Sequence, residues 1–148
     1  MTSTILEARN LNFSYHSGVP ILNNINISIK QGQNVGLVGE SGSGKSTILR
    51  LLLGIHRPTQ GQILFAGEEL ALSNKEQARK FRSQVQVVFQ DPYSSLDPRQ
   101  RVDQLIAEPL HSLGLANDAN IGGSRANIRE WIDNQVVGAL ASVGLPAD

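Results

Sequence analysis

Gly39-Glu40-Ser41-Gly42-Ser43-Gly44-Lys45-Ser46-Thr47 satisfies the pattern G-x-x-x-x-G-K-[ST], with Gly39, Gly44, Lys45 and Ser46 at its defined places. The apolar run Asn34-Val35-Gly36-Leu37-Val38 precedes it and reads as a buried strand. Ser46 to Leu53 follows and reads as a helix closed by Gly54. Strand, glycine loop and helix together form a phosphate-binding loop. Glycines let the backbone curl so that successive N–H groups face an anion. The next helix aims its unpaired N–H groups at the same charge. Lys45 is placed for the β- and γ-phosphates, Ser46 for Mg²⁺ and Thr47 for the α-phosphate.

Outward from this loop, Ile5 to Asn10 and Asn12 to Tyr15 read as short strands. Asn24 to Lys30 alternates strictly, which places Ile25, Ile27 and Ile29 on one buried strand face. Gln62 to Ala66 reads as another strand, ended by Gly67. Ser73 and Glu76 fit a capping box, so a helix is expected to about Arg82. Val85 to Phe89 reads as a β-branched strand. Val102 to Leu113 is amphipathic, and Pro109 is expected to end or kink it. Ala116 to Ser124 reads as a loop. Ile128, Ile132, Val136, Leu140 and Val143 recur at helical spacing, with Gly144 and Pro146 as stops.

Composition sets further bounds. The chain has 148 residues, 13 basic and 13 acidic, so its net charge is zero, which argues against a nucleic-acid partner. It has no cysteine, which excludes disulfides and thiolate chemistry. His16, His56 and His111 lack ligand-like spacing, and Glu130 and Asp133 read as a solvated helix face. The longest apolar run, Leu51 to Ile55, is far short of a membrane span.

A second motif, Gln90-Asp91-Pro92-Tyr93-Ser94-Ser95-Leu96-Asp97-Pro98-Arg99, is chemically only a proline-punctuated loop. With Gly39 to Thr47 it resembles the ATP-binding subunits of ABC transporters, and specifically the oligopeptide, dipeptide and nickel importer subfamily. The resemblance implies an α/β P-loop NTPase of the ABC ATPase type. An N-terminal antiparallel β subdomain and phosphate-loop core would occupy residues 1–100, and part of a helical subdomain residues 101–148.

The resemblance also implies roles. Gln90 would be the Q-loop glutamine that reaches Mg²⁺ and the attacking water. Tyr15 would be the aromatic that stacks on adenine. Nucleotide contacts are expected at Tyr15 and at Gly39, Glu40, Ser41, Gly42, Ser43, Gly44, Lys45, Ser46 and Thr47. Mg²⁺ contacts are expected at Ser46 and Gln90, and catalytic roles at Lys45 and Gln90. ATP and Mg²⁺ are the implied cofactors. The implied partners are transmembrane permease subunits and a second ATP-binding subunit, at the cytoplasmic face of a membrane.

The sequence departs from the family pattern in one respect. No Leu-Ser-Gly-Gly-Gln signature, Walker B strand ending in Asp-Glu, or later switch histidine occurs. Ile63 to Glu69 and Val87 to Asp91 fail as Walker B strands, the first interrupted by Gly67 and the second by Gln90. The chain is therefore expected to be an N-terminal part of such a subunit, hydrolytically incompetent alone. The two apolar strands before the motifs should then lack central neighbours, leaving it marginally stable or oligomeric. The rival expectations are a non-hydrolysing regulatory nucleotide-binding module and a soluble non-transport ABC protein or P-loop kinase.

Overall fold

The computed structural model describes residues 3–15, 18–91, 93–119, 121 and 124–146; His16, Pro92 and two glycines of the 116–124 loop lie outside them. Two compact units divide the chain, Met1–Val87 and Val88–Asp148.

The first unit is built on a four-stranded antiparallel sheet of order β2-β1-β3-β4. Its strands are β1 (Thr4–Phe13), β2 (Leu22–Lys30), β3 (Gln60–Phe65) and β4 (Glu68–Glu69). The two short strands expected before Tyr15 are one continuous strand. It is continuous because a bulge absorbs the break at Asn10, whose φ is 50°. Carboxamides supply the main-chain partners that the irregular ladder loses there. Asn26 Oδ1 accepts from Asn10 N (2.9 Å), and Asn12 Oδ1 accepts from Asn24 N (3.0 Å). Asn12 Nδ2 donates to the Asn10 carbonyl at 2.9 Å. The alternation in β2 is as read, though Ile25, Ile27 and Ile29 are half-buried. Ala66 and Gly67, with φ of 52° and 86°, form the two-residue turn from β3 into β4. The acidic pair Glu68 and Glu69 is the return strand of that hairpin.

Helix α1 (Lys45–Leu52) lays Ile48, Leu51 and Leu52 on the sheet face formed by Ala8, Leu11, Phe13, Leu22 and Ile63. Leu51 and Leu11 are fully buried, each worth about 1.5–3 kcal/mol relative to exposure. Gly54 closes α1 as its sequence position predicts. Gly54 N donates to Leu51 O and Ile55 N to Arg50 O, which satisfies the last carbonyls in a Schellman motif.

Helix α2 (Lys75–Gln84) begins one residue later than the capping-box reading. Asn74, not Ser73, is the cap, because its Oδ1 accepts from both Glu76 N and Gln77 N. Its Phe81 is buried edge-on against Phe65, with centroids 5.2 Å apart. Asn74→Ala should lower stability by about 1 kcal/mol, measurable as an earlier urea midpoint with an unchanged slope.

Two expected strands are not strands. Residues 33–40 and 85–89 form no ladder among the described residues. Val38 is 94% exposed and Val88 93%. Apolar runs become strands only when a neighbour takes their N–H and C=O groups, and the sheet ends at β2 and β4.

In the second unit a short 3₁₀ turn (Tyr93–Ser95) leads to α3 (Val102–Ser112), α4 (Leu115–Asp118) and α5 (Arg125–Ser142). Helix α4 occupies part of the stretch read as a loop. Pro109 does not end α3, which continues past it to Ser112. Its ring faces solvent, while Ile106, Ala107 and Leu110 pack on Ile132, Val136 and Leu140 of α5 and carry the helix past it. Ser124 Oγ caps α5, and Gly144 and Leu145 close it with bonds to Ala141 and Leu140.

Candidate nucleotide-binding site

The glycine loop leaves the extended segment at Gly39 and enters α1 at Gly44. Gly42 and Gly44 take φ of 82° and 92°, the left-handed region that glycine adopts without strain. Gly44 is the N-cap of α1 and has no side chain to cap it. No acidic residue lies in the first turn. The positive end of the helix is therefore left unneutralised beside an exposed loop. At Gly44 a Cβ would meet Leu22 Cδ2 at 2.7 Å, so a side chain there would have to displace Leu22.

Lys45 folds back over its own loop. Its Nζ donates to the carbonyls of Gly39 (2.8 Å) and Glu40 (2.6 Å) and to Ser43 Oγ (3.3 Å). Ser43 N closes the loop on Glu40 O at 3.2 Å. The ammonium is thus held over the loop by three of the loop's own acceptors. Ser46 is exposed in the same first turn, and Thr47 is nine-tenths buried beneath it.

Tyr15 lies just past β1, 44% exposed. Its ring meets Phe13 edge-on at 4.8 Å and His56 edge-on at 5.5 Å, and His56 stacks on Phe13 at 5.5 Å. Arg50 Nη1 donates to its phenol oxygen at 3.4 Å. The neighbouring Thr47 hydroxyl, then the Arg50 bond, hold the phenol below the usual tyrosine range. Sequence reading missed Arg50 and set His56 aside. The spacing of Thr47 and Arg50 on one helix face was a readable signal, but their tyrosine partner is distant in sequence.

Gln90 belongs to the second unit, exposed on a bend ahead of the 3₁₀ turn. There Asp91 Oδ1 accepts from Tyr93 N (3.2 Å), and Ser95 Oγ donates to Asp91 O (3.1 Å). Glu130, Asp133 and His111 lie on exposed helix surface, as read.

The glycine motif that runs directly into α1 is that of a P-loop NTPase. The family model described as ABC transporter matches residues 22–147, and the chain belongs to that family. It is 40% identical over 118 residues to the nickel import ATP-binding protein NikE of Shigella dysenteriae, covering 74% of this chain and 44% of the relative. The Shigella flexneri serotype 5b protein of the same name is 44% identical over 98 residues, covering 66% of this chain and 37% of the relative. Among solved structures, cbiO1 from Clostridium perfringens, part of the ABC transporter complex cbiONQ, superposes with a TM-score of 0.67 at 31% identity. That superposition covers 97% of this chain and 51% of cbiO1. The chain spans less than half the length of the curated relatives it matches. No helix among the described residues is long and apolar enough to cross a membrane.

Proposed function

We propose that this chain is the nucleotide-binding portion of an ABC importer's ATP-binding subunit, and that its ligand is magnesium ATP. The observation that carries the reading is the cup itself: an uncapped helix N-terminus facing glycine backbone, with the Lys45 ammonium poised across it. In this reading the N–H groups of residues 39–44 surround the β-phosphate. Lys45 moves from the loop carbonyls to the β- and γ-oxygens. Ser46 offers its hydroxyl to Mg²⁺ and Thr47 to the α-phosphate. Mg²⁺ suits this donor set, because it keeps several waters and takes few protein ligands besides phosphates. Bound Mg²⁺ would neutralise charge developing on the phosphates. Tyr15 would support the base, and by likeness to relatives Gln90 would be the glutamine that reaches Mg²⁺ and the attacking water.

Importers whose relatives are named for nickel favour nickel over peptide as the cargo. Peptide uptake rests only on the likeness of Gln90 to Arg99. The partners would be permease subunits and a second ATP-binding subunit at the cytoplasmic membrane face. The exposed Tyr93 and Leu96 offer a surface for the former.

Calorimetric titration with ATP, with and without Mg²⁺, tests the binding claim; no saturable binding in either would remove it. Phosphate release tests the chemistry. Neither Lys45 nor Gln90 is a base, since one is a cation and the other a carboxamide. Turnover by this chain should therefore be far below that of a full-length relative. Turnover equal to the relative's would show that the assigned residues are not the whole hydrolytic set.

A further inference from the structure

We propose that Arg50 is a positioning residue: its guanidinium ties the Tyr15 ring to α1, and so fixes the ring for the base of a nucleotide whose phosphates lie in the glycine loop. The inference rests on the nucleotide-binding reading above. It adds the group that sets how far the chain prefers a nucleotide to a bare triphosphate.

Contacts at the end of β1 seat Tyr15 beside the loop and fasten it there. Ile21 N donates to Phe13 O at 2.8 Å, which pinches the connection from β1 to β2 shut at its base. That base lies against the glycine loop, since a Cβ on Gly44 would come 2.7 Å from Leu22 Cδ2 and 3.7 Å from Ile21 O. Tyr15 therefore leaves the sheet close to the start of α1. Phe13 and His56 meet its ring edge-on, with centroids 4.8 and 5.5 Å away. Arg50 Nη1 donates to its phenol oxygen at 3.4 Å. The main chain of Arg50 also fixes the histidine wall, because its carbonyl accepts from Ile55 N (2.8 Å) and His56 N (3.2 Å). Arg50 thus holds Tyr15 through its side chain and His56 through its carbonyl, on the helix that begins at Lys45.

Tyr15 is 44% exposed. A side chain with that much open space loses rotamer freedom when a ligand packs on it. A ring already tied to α1 has less freedom to lose. The gain belongs to the base alone, because the phosphates are assigned to the glycine loop and not to Tyr15. A plainer role for Arg50 is that of a cation in the last turn of α1, where it complements the negative end of the helix. That role stabilises the helix and would act on every ligand alike.

The two roles separate when magnesium ATP and magnesium tripolyphosphate are titrated side by side. Arg50→Met keeps an unbranched stem and deletes the donors. ATP affinity should fall by roughly 5-fold, the cost of ordering one side chain, while tripolyphosphate affinity stays as in wild type. Arg50→Lys keeps a donor and should recover part of the loss. Tyr15→Phe removes the acceptor, so it should lose as much as Arg50→Met, and the double variant should lose no more than either. Equal losses for both ligands, no loss for ATP, or losses that multiply in the double variant would each overturn the positioning role. A wild type that takes up neither ligand would instead defeat the nucleotide reading, and the inference with it.

Discussion

Lys45→Ala is expected to weaken magnesium ATP binding by roughly 10- to 150-fold, because a charge-assisted hydrogen bond to phosphate is worth about 1.5–3 kcal/mol. The ammonium bonds two carbonyls and a hydroxyl of its own loop, so alanine also removes what holds the loop closed. Lys45→Arg separates the two effects. It keeps the charge, but a planar fork cannot reproduce a three-donor ammonium within the same small cup. Arginine should recover only part of the affinity. Alanine binding as well as wild type would show that the cup does not hold the nucleotide. Thermal melts of each variant guard against reading a folding defect as a binding defect.

The largest effect on stability is expected at Gly61. Its φ is +85°, and a Cβ there would overlap the backbone carbonyls of Arg9 and Asn10, lying 2.5 Å from the former oxygen. Those carbonyls belong to the bulge that the asparagines hold, so they have nowhere to move. Gly61→Ala should cost about 3 kcal/mol. Left-handed backbone in a residue with a Cβ costs about 1–2 kcal/mol, and steric overlap in a packed site adds a comparable amount. Gly67 is the control, with φ of +86° and nothing within 4 Å of an added Cβ. Gly67→Ala should show the conformational cost alone. Equal losses for the two variants in urea unfolding would mean that the overlap at Gly61 relaxes freely.

Features governed by local chemistry were legible in the sequence. The glycine loop, the helix after it, the Gly54 and Gly144 stops and the Gly67 turn each depend on a few neighbouring residues, and each lies where the residues place it. The α2 cap moved by one residue because serine and asparagine compete for the same role, and only geometry shows which oxygen reaches two N–H groups. Pro109 does not end α3 because the apolar contacts that α3 makes with α5 outweigh its local penalty. Val35 to Val38 and Val85 to Phe89 were misread for the opposite reason. Their composition is that of strands, but a strand is a relation between segments, and no described segment pairs with either. In the candidate site the loop was readable and the surroundings of Tyr15 were not, since Thr47, Arg50 and His56 converge on it from far along the chain. For Gln90, only likeness to known relatives suggested a role, because nothing in a glutamine on an exposed bend announces one.

The folded-back Lys45 has one more consequence. A loop cross-braced by its own ammonium has its curvature set by its own groups, so little ordering would remain to be done on binding a ligand. A triphosphate bound there would not simply add contacts but would trade places with carbonyl oxygens, and much of the bond enthalpy would cancel in that barter. Association would then be driven largely by water and counterions shed from the polyanion rather than by heat released in the cup.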